Sequence, residues 1–165
     1  MPLTSDMDLK IDVLRTRQIL INLIQNAIKF SQNHQKVEII VDSDTIPDSQ
    51  KLMLWIKVID YGIGICEHDR ANLFKPYFKS SNAQSNQMNF QSHGLGLNIC
   101  KRIAKGLGGD LNLNKRRLDC TEFVVNLPVE VVGPAKVTVP RSDVKQSKYG
   151  FDRKFGRKSK PDKIR

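Results

Sequence analysis

The sequence predicts an α/β fold of two layers, a mixed β-sheet covered on one face by helices near residues 12–32, 67–74 and 94–107. Three observations carry this. The run Leu52-Met53-Leu54-Trp55-Ile56-Lys57-Val58-Ile59 is apolar, rich in β-branched and aromatic residues and free of turn formers, as a buried strand is. Between Val13 and Ser31 the apolar residues Leu20, Leu23, Ile24, Ala27 and Ile28 recur at helical spacing and form one broad face to bury. A second helical pattern, Leu97, Cys100, Ile103, Ala104 and Leu107, begins directly behind a pair of glycines.

The remaining elements fall between these. Leu9-Lys10-Ile11 reads as a short strand, and Asp12 behind it as the N-cap of the first helix. Val37 to Val41 alternates weakly and reads as a strand, joined to the central one by a hairpin loop over 42–51 that holds Pro47. A short helical piece runs from Glu67 to Phe74, followed by Lys75-Pro76-Tyr77-Phe78-Lys79. From Ser80 to His93 the chain is Ser, Asn and Gln with almost no apolar anchor, a surface loop of the length that lids have. Gly108-Gly109 closes the last helix. Leu111–Leu113 and Thr121–Leu127 read as two strands joined by the basic turn Lys115-Arg116-Arg117, and Pro128 is expected to end the fold.

A chain of 165 residues suits one domain with a real core plus a tail. The net charge of +10 looks like a nucleic-acid signal until it is localised: residues 141–165 hold ten Lys/Arg against three Asp, or +7, which leaves +3 for residues 1–140. The division expected is therefore an N-terminal remnant (1–8), a domain (9–128) and a basic, disordered tail (129–165). Tyr149, Phe151 and Phe155 among the tail's basic residues are a mix that single-stranded nucleic acid or acidic lipid recognises, although a solvated tail has the same composition. Cys66, Cys100 and Cys120 lie far apart without metal-site spacing, so a reducing, cytoplasmic setting is the simplest expectation. No run approaches the roughly 18 apolar residues that span a bilayer, and the first residues lack a signal-peptide core.

Three patterns carry chemistry. On the first helix Asn22, Asn26, Lys29 and Asn33 form one narrow polar stripe opposite the apolar face. Asn costs a helix about half a kcal/mol per site against Ala, so a row of them is an odd choice for a merely solvated face. Amide oxygens aimed into a cavity coordinate hard cations, and Lys29 meets an anion. Asp60-Tyr61-Gly62-Ile63-Gly64-Ile65 places a carboxylate at a strand end and then two glycines past which a flat ligand can slide. Gly94-Leu95-Gly96-Leu97 sets unpaired amides at a helix N-terminus, the geometry that holds phosphate.

With these motifs together, the segment Arg17–Ser31 resembles the Asn-bearing helix of the histidine-kinase ATP-binding domain, of the superfamily shared with gyrase, the Hsp90 chaperones and MutL. Asp60–Ile65 is similar to its first glycine motif, Leu73-Phe74-Lys75-Pro76-Tyr77-Phe78 to its aromatic motif and Gly94–Leu97 to its second glycine motif. Asn26 to Asp60 and Asp60 to Gly94 are both 34 residues. The resemblance implies a Bergerat-type sandwich with an ATP lid over 80–93. It implies that Asn26 ligates Mg²⁺ on the triphosphate, with Asn22 on the same face and Lys29 pairing with phosphate. Asp60 would accept from the adenine amino group, which fits a group that carries acceptors only. Gly62, Gly64 and Ile65 would run along the base edge, and Thr121 would close the base pocket. Gly94, Leu95, Gly96 and Leu97 would lead the lid into the phosphate-binding helix. Phe74, with Phe78, lies at the root of the lid, where packing is a stronger reading than contact with ATP.

The cofactors so implied are ATP and Mg²⁺, and the reaction is transfer of the γ-phosphoryl group to a histidine. His34, His68 and His93 lack the acceptor context, so the implied partner is a dimerisation and phosphoacceptor helical hairpin, in cis or in trans, with a response regulator downstream. Ser92, His93 and Cys120 stand where the family pattern has Gly, a small Thr or Ser, and Gly. Two other readings of the motifs are an ATP-gated clamp of the Hsp90, gyrase or MutL kind and a non-catalytic nucleotide-binding module.

Overall fold

The structure is a computed structural model that describes residues 8–31, 36–80, 93–114 and 119–132. The elements are β1 (Asp8–Lys10), α1 (Val13–Phe30), β2 (Val37–Thr45), β3 (Lys51–Asp60), α2 (Glu67–Arg70), α3 (Gly96–Gly106), β4 (Asp110–Leu113) and β5 (Thr121–Val132). The remnant 1–7, Asn33 and His34, the lid stretch 81–92, the basic turn 115–117 and the tail beyond Val132 lie outside the described residues. Among the described residues no helix is long and apolar enough to cross a membrane.

Asp12 starts α1 as the cap: its carboxylate accepts from the Arg15 N–H at 2.9 Å. The short helix expected over 67–74 stops at Arg70. Beyond it the chain continues in bonds from residue i to i−3, Asn72 N–H to Asp69 and Lys75 N–H to Asn72, because Pro76 lies ahead and biases Lys75 away from helical backbone.

The sheet order is β1-β5-β3-β2, with β4 also paired to β5. The two-layer sandwich is as expected, but every pairing among the described residues is antiparallel. β1 and β4 run in the same direction as β3 yet never meet it, because β5 stands between them. β3 occupies one edge of β5 from Thr121 to Glu130, and the opposite edge is shared by β4 up to Asn126 and β1 from Glu130. Pro128, expected to end the fold, falls in the gap between those two partners, where that edge needs no ladder bond. The strand continues to Val132 and closes on β1.

Alternation on the strands sends Leu52, Leu54, Ile56 and Val58 of β3 and Phe123, Val125, Leu127 and Val129 of β5 to the helical side. Ile19, Leu23 and Ala27 of α1 and Cys100 and Ala104 of α3 cover them. The buried stripe of α1 is rotated from the one the sequence predicts: Ile19 is fully buried and Ile28 is 63% exposed. The cause is α3, which packs on the Ile19 side, where the Cys100 thiol reaches the Ile19 carbonyl at 3.9 Å. Leu23→Ala should therefore lower stability by about 3 kcal/mol in urea unfolding. Leu14→Ala, at a site 77% exposed, should stay within about 0.5 kcal/mol.

Candidate functional site

Asp60 ends β3, opposite Thr121 on β5, and is only 4% exposed. Its Oδ1 accepts from the Gly62 N–H at 3.1 Å, and the Thr121 hydroxyl donates to the same carboxylate. Burial pushes the Asp60 carboxyl above its ordinary pKa against the pull of these two bonds. An ionised carboxylate has about four acceptor sites, so the group retains capacity for a further donor.

The turn behind Asp60 is pressed against the end of α1. The Ile63 N–H donates to the Phe30 carbonyl at 3.1 Å, and a Cβ on Gly62 would lie 2.0 Å from that oxygen. Only glycine allows the approach. At the other end of the same helical row, a Cβ on Gly96 would lie 2.4 Å from the Asn22 amide nitrogen, so the first residue of α3 sits on Asn22. Asn22, Asn26 and Phe30 recur every four residues, one above another and about 12 Å from end to end. Asn26 is therefore the midpoint of a row whose ends touch the two glycine motifs. Its Nδ2 donates to Asn22 Oδ1 at 3.3 Å, which keeps its own oxygen as an acceptor.

Lys29, one turn along on the same side, lies 5.2 Å from the Phe30 ring. Its pKa is lowered by burial and by the nearby charge of Lys79. Lys79 is absent from the sequence-derived set. Its signal was its place directly behind the aromatic motif, but nothing in the local spacing says that it returns to Lys29. Gly94 has φ +69°, and a Cβ there would lie 2.6 Å from the Phe78 carbonyl, so the second glycine motif abuts the aromatic segment. Gly64 also has positive φ, with open space where a side chain would be.

Phe74 is held by packing. Its ring meets Phe123 edge-on at 6.4 Å, Lys101 Nζ lies 4.9 Å above it, and its carbonyl accepts from Asn98 Nδ2 at 2.8 Å. Ile65 and Leu97 pack partly buried against the core, and the Leu95 carbonyl takes the first bond of α3, from Ile99. Ile65 and Thr121 share a small recess with Arg70, Leu113, Asn114 and Cys120. The structure thus sets Gly62 at the Phe30 end and Gly96 at the Asn22 end of one helical row that includes Asn26, Asp60 opposite Thr121, and Gly94 against Phe78. Ser80 and His93 are the only described parts of the lid stretch.

The donors fit a nucleotide better than a metal alone. No group of three or more His, Cys, Asp or Glu able to hold an ion exists among the described residues. Amide oxygens beside two lysines suit a hard cation that arrives with phosphate oxygens of its own.

The family model of the histidine kinase-, DNA gyrase B- and HSP90-like ATPases matches residues 11–131. The chain is 36% identical over 121 residues to the autoinducer 2 sensor kinase/phosphatase LuxQ of Vibrio cholerae, covering 73% of this chain and 14% of that one. It is 34% identical over 139 residues to histidine kinase 5 of Arabidopsis thaliana, covering 73% and 15%. Among solved structures, the mycobacterial sensor histidine kinase MprB superposes with a TM-score of 0.63 at 22% identity, over 76% of this chain and 80% of that one, a likeness of fold. The catalytic domain of the histidine kinase ThkA superposes with a TM-score of 0.51 at 28% identity, over 71% and 69%. The chain spans about one seventh of the length of these curated relatives. An Asn row, a strand-end acid and two glycine turns on one sandwich, with these likenesses, make the chain an ATP-binding domain of the histidine-kinase type and a member of the histidine kinase-, gyrase B- and HSP90-like ATPase family.

Proposed function

We propose that this domain binds Mg-ATP and transfers the γ-phosphoryl group to a histidine on a helical hairpin supplied by another segment or chain. The observation that supports it most is the Asn22–Asn26–Phe30 row, capped by Gly96 at one end and Gly62 at the other. Adenine lies at the Asp60 end, its amino group donating to the buried carboxylate, with Thr121 and Ile65 beside it. The phosphates run along the Asn row towards Gly94–Leu97, between Lys29 and Lys79. Asn26 would hold Mg²⁺, which would supply charge neutralisation on the phosphates. An imidazole nitrogen of the acceptor forms a bond to the γ-phosphorus as its bond to the bridging oxygen breaks, and ADP leaves with the electron pair. Such transfer relies on positioning and charge more than on covalent chemistry by the protein, so a domain without a nucleophile can still carry it. The complex of full-length ShkA with AMPPNP, at 25% identity and a TM-score of 0.52, is consistent with a nucleotide in this fold.

The acceptor's surface is the groove between α1 and α3, about 470 Å³, whose lining includes Leu14, Arg17, Ile21, Asn22, Gly96 and Ile99. Among the described residues Leu14, Ile21 and Ile99 are exposed there. An amphipathic helix seated on these residues reaches the phosphate end of the site through Asn22 and Gly96.

Asp60→Asn should weaken ATP binding about 10- to 150-fold in isothermal titration, the loss of a charged hydrogen bond of roughly 1.5–3 kcal/mol. Because the amino group needs the ionised acid and burial raises the Asp60 pKa, wild-type affinity should fall on acidification from a higher pH than an ordinary carboxylate would give. That pH dependence should vanish in the variant. The same raised pKa favours the protonated form in the fold, a stabilisation lost as pH rises through it, so at neutral pH Asp60→Asn should melt no earlier than wild type. Asn26→Ala should abolish Mg-dependent transfer with the circular-dichroism spectrum intact; unchanged turnover would remove Asn26 from the metal. Ile21→Asp should stop transfer to an added acceptor hairpin while ATP affinity stays within twofold, and transfer at the wild-type rate would move the docking surface elsewhere.

A further inference from the structure

We infer that Asn98 is a positioning residue: by latching the Phe74 carbonyl to α3, it holds Lys79 where Lys79 and Lys29 together receive the nucleotide's phosphates. The inference rests on the reading of the nucleotide site given above and adds to it a residue that touches no ligand.

Residues 71–80 have no regular secondary structure to hold them in place. They are fixed instead at separate points. Asn98 Nδ2 donates to the Phe74 carbonyl at 2.8 Å, and Lys101 and Phe123 grip the Phe74 ring from two sides. Lys101 is itself anchored, 2.8 Å from Asp110 Oδ1 and 2.7 Å from the Leu111 carbonyl. Further along, Tyr77 and Phe78 abut Gly94, and the Ser80 hydroxyl donates to the buried carboxylate of Asp69. Tyr77 adopts φ +61°, a conformation that a non-glycine residue keeps only where its surroundings hold it.

What these anchors deliver is Lys79, beside Lys29. Two ammonium groups repel, and the pKa of Lys29 is lowered by burial first and by the Lys79 charge second. A free segment would swing Lys79 into solvent. Asn98 stands two residues beyond Gly96, so the latch and the helix tip seated on Asn22 belong to one rigid turn of α3. In the proposed reading a phosphate chain runs from that tip along the Asn row, and its negative charge converts the repulsion of the two lysines into attraction. The bond also has a polarity. A carboxylate at position 98 has nearly the same shape but presents an acceptor to the Phe74 carbonyl, which reverses the contact.

The test is titration of the full chain with ATP and with adenosine for wild type, Asn98→Asp, Asn98→Ala, Lys79→Met and the double variant Asn98→Asp/Lys79→Met. Each Asn98 variant should bind ATP about five- to tenfold more weakly, with adenosine affinity within twofold. Lys79→Met should show a similar loss, and the double variant should lose no more than the larger single one, the non-additivity of residues acting through one contact. Equal losses for ATP and adenosine would show a merely structural role for Asn98 and overturn the inference. So would additive losses, or unaltered ATP affinity in both Asn98 variants. If the wild type binds adenosine and ATP equally, the phosphate end of the site is wrong, and if it binds neither, the site reading itself fails and takes this inference with it.

Discussion

The Phe30 carbonyl and the backbone of Gly62 and Ile63 meet so closely that no side chain fits between them. This contact joins the last turn of α1 to the turn that leaves the central strand, and most of the site follows from it. It fixes the rotation of α1 about its own axis, because the residues one and two turns back from Phe30 are then Asn26 and Asn22. It also fixes the depth of Asp60, which the Gly62 N–H holds by one oxygen at the bottom of the seam. Any residue larger than glycine at position 62 would move the helix off the sheet end and separate the amide row from the acid.

The second fixed point is Gly96 on Asn22, supported deeper in the core by Cys100 against Ile19. With α1 held at its middle by Gly96 and at its last turn by Gly62, the distance between the two glycine motifs is set by the rise of a helix, a far stiffer ruler than a loop. The electrostatics run against the stability of the empty domain. A carboxylate is buried under sheet and turn, and two lysines are crowded together. Groups arranged at such a cost to the fold are characteristic of sites that a ligand completes. In the proposed reading an adenine amino group and a phosphate chain complete them.

The groove between α1 and α3 includes Asn22 and Gly96 in its lining, the two residues at which the second glycine motif meets the proposed nucleotide site. In the proposed reading a partner seated on α1 and α3 would meet the phosphate end at these two residues. That docking also gives the exposed Leu14, Ile21 and Ile99 a proposed role, while Val13 and Ile28 of α1 are exposed as well.

Much of this was legible in the sequence, for identifiable reasons. The Asn22–Asn26–Lys29 row is a statement of helical period, and Asp60 marks the end of an apolar run, so both are properties of neighbouring residues. Ile28 fits the apolar repeat yet is exposed, because α3 packs on the Ile19 side instead. Pro128 was read as a stop because the proline's tolerance depends on β1, which pairs from the other end of the domain. Lys79 and Asn98 left no local signature at all, since each acts through a contact with a distant segment.

By itself, then, the sequence determined the elements, the chemical types lining the site and their order along the chain, because period and turn chemistry are local. Only the tertiary structure decided which faces meet, which lysine returns to Lys29 and how far β5 runs. Those depend on backbone approaches at Gly62, Gly94 and Gly96 and on strand pairings between residues far apart in the chain, which no short window of sequence contains.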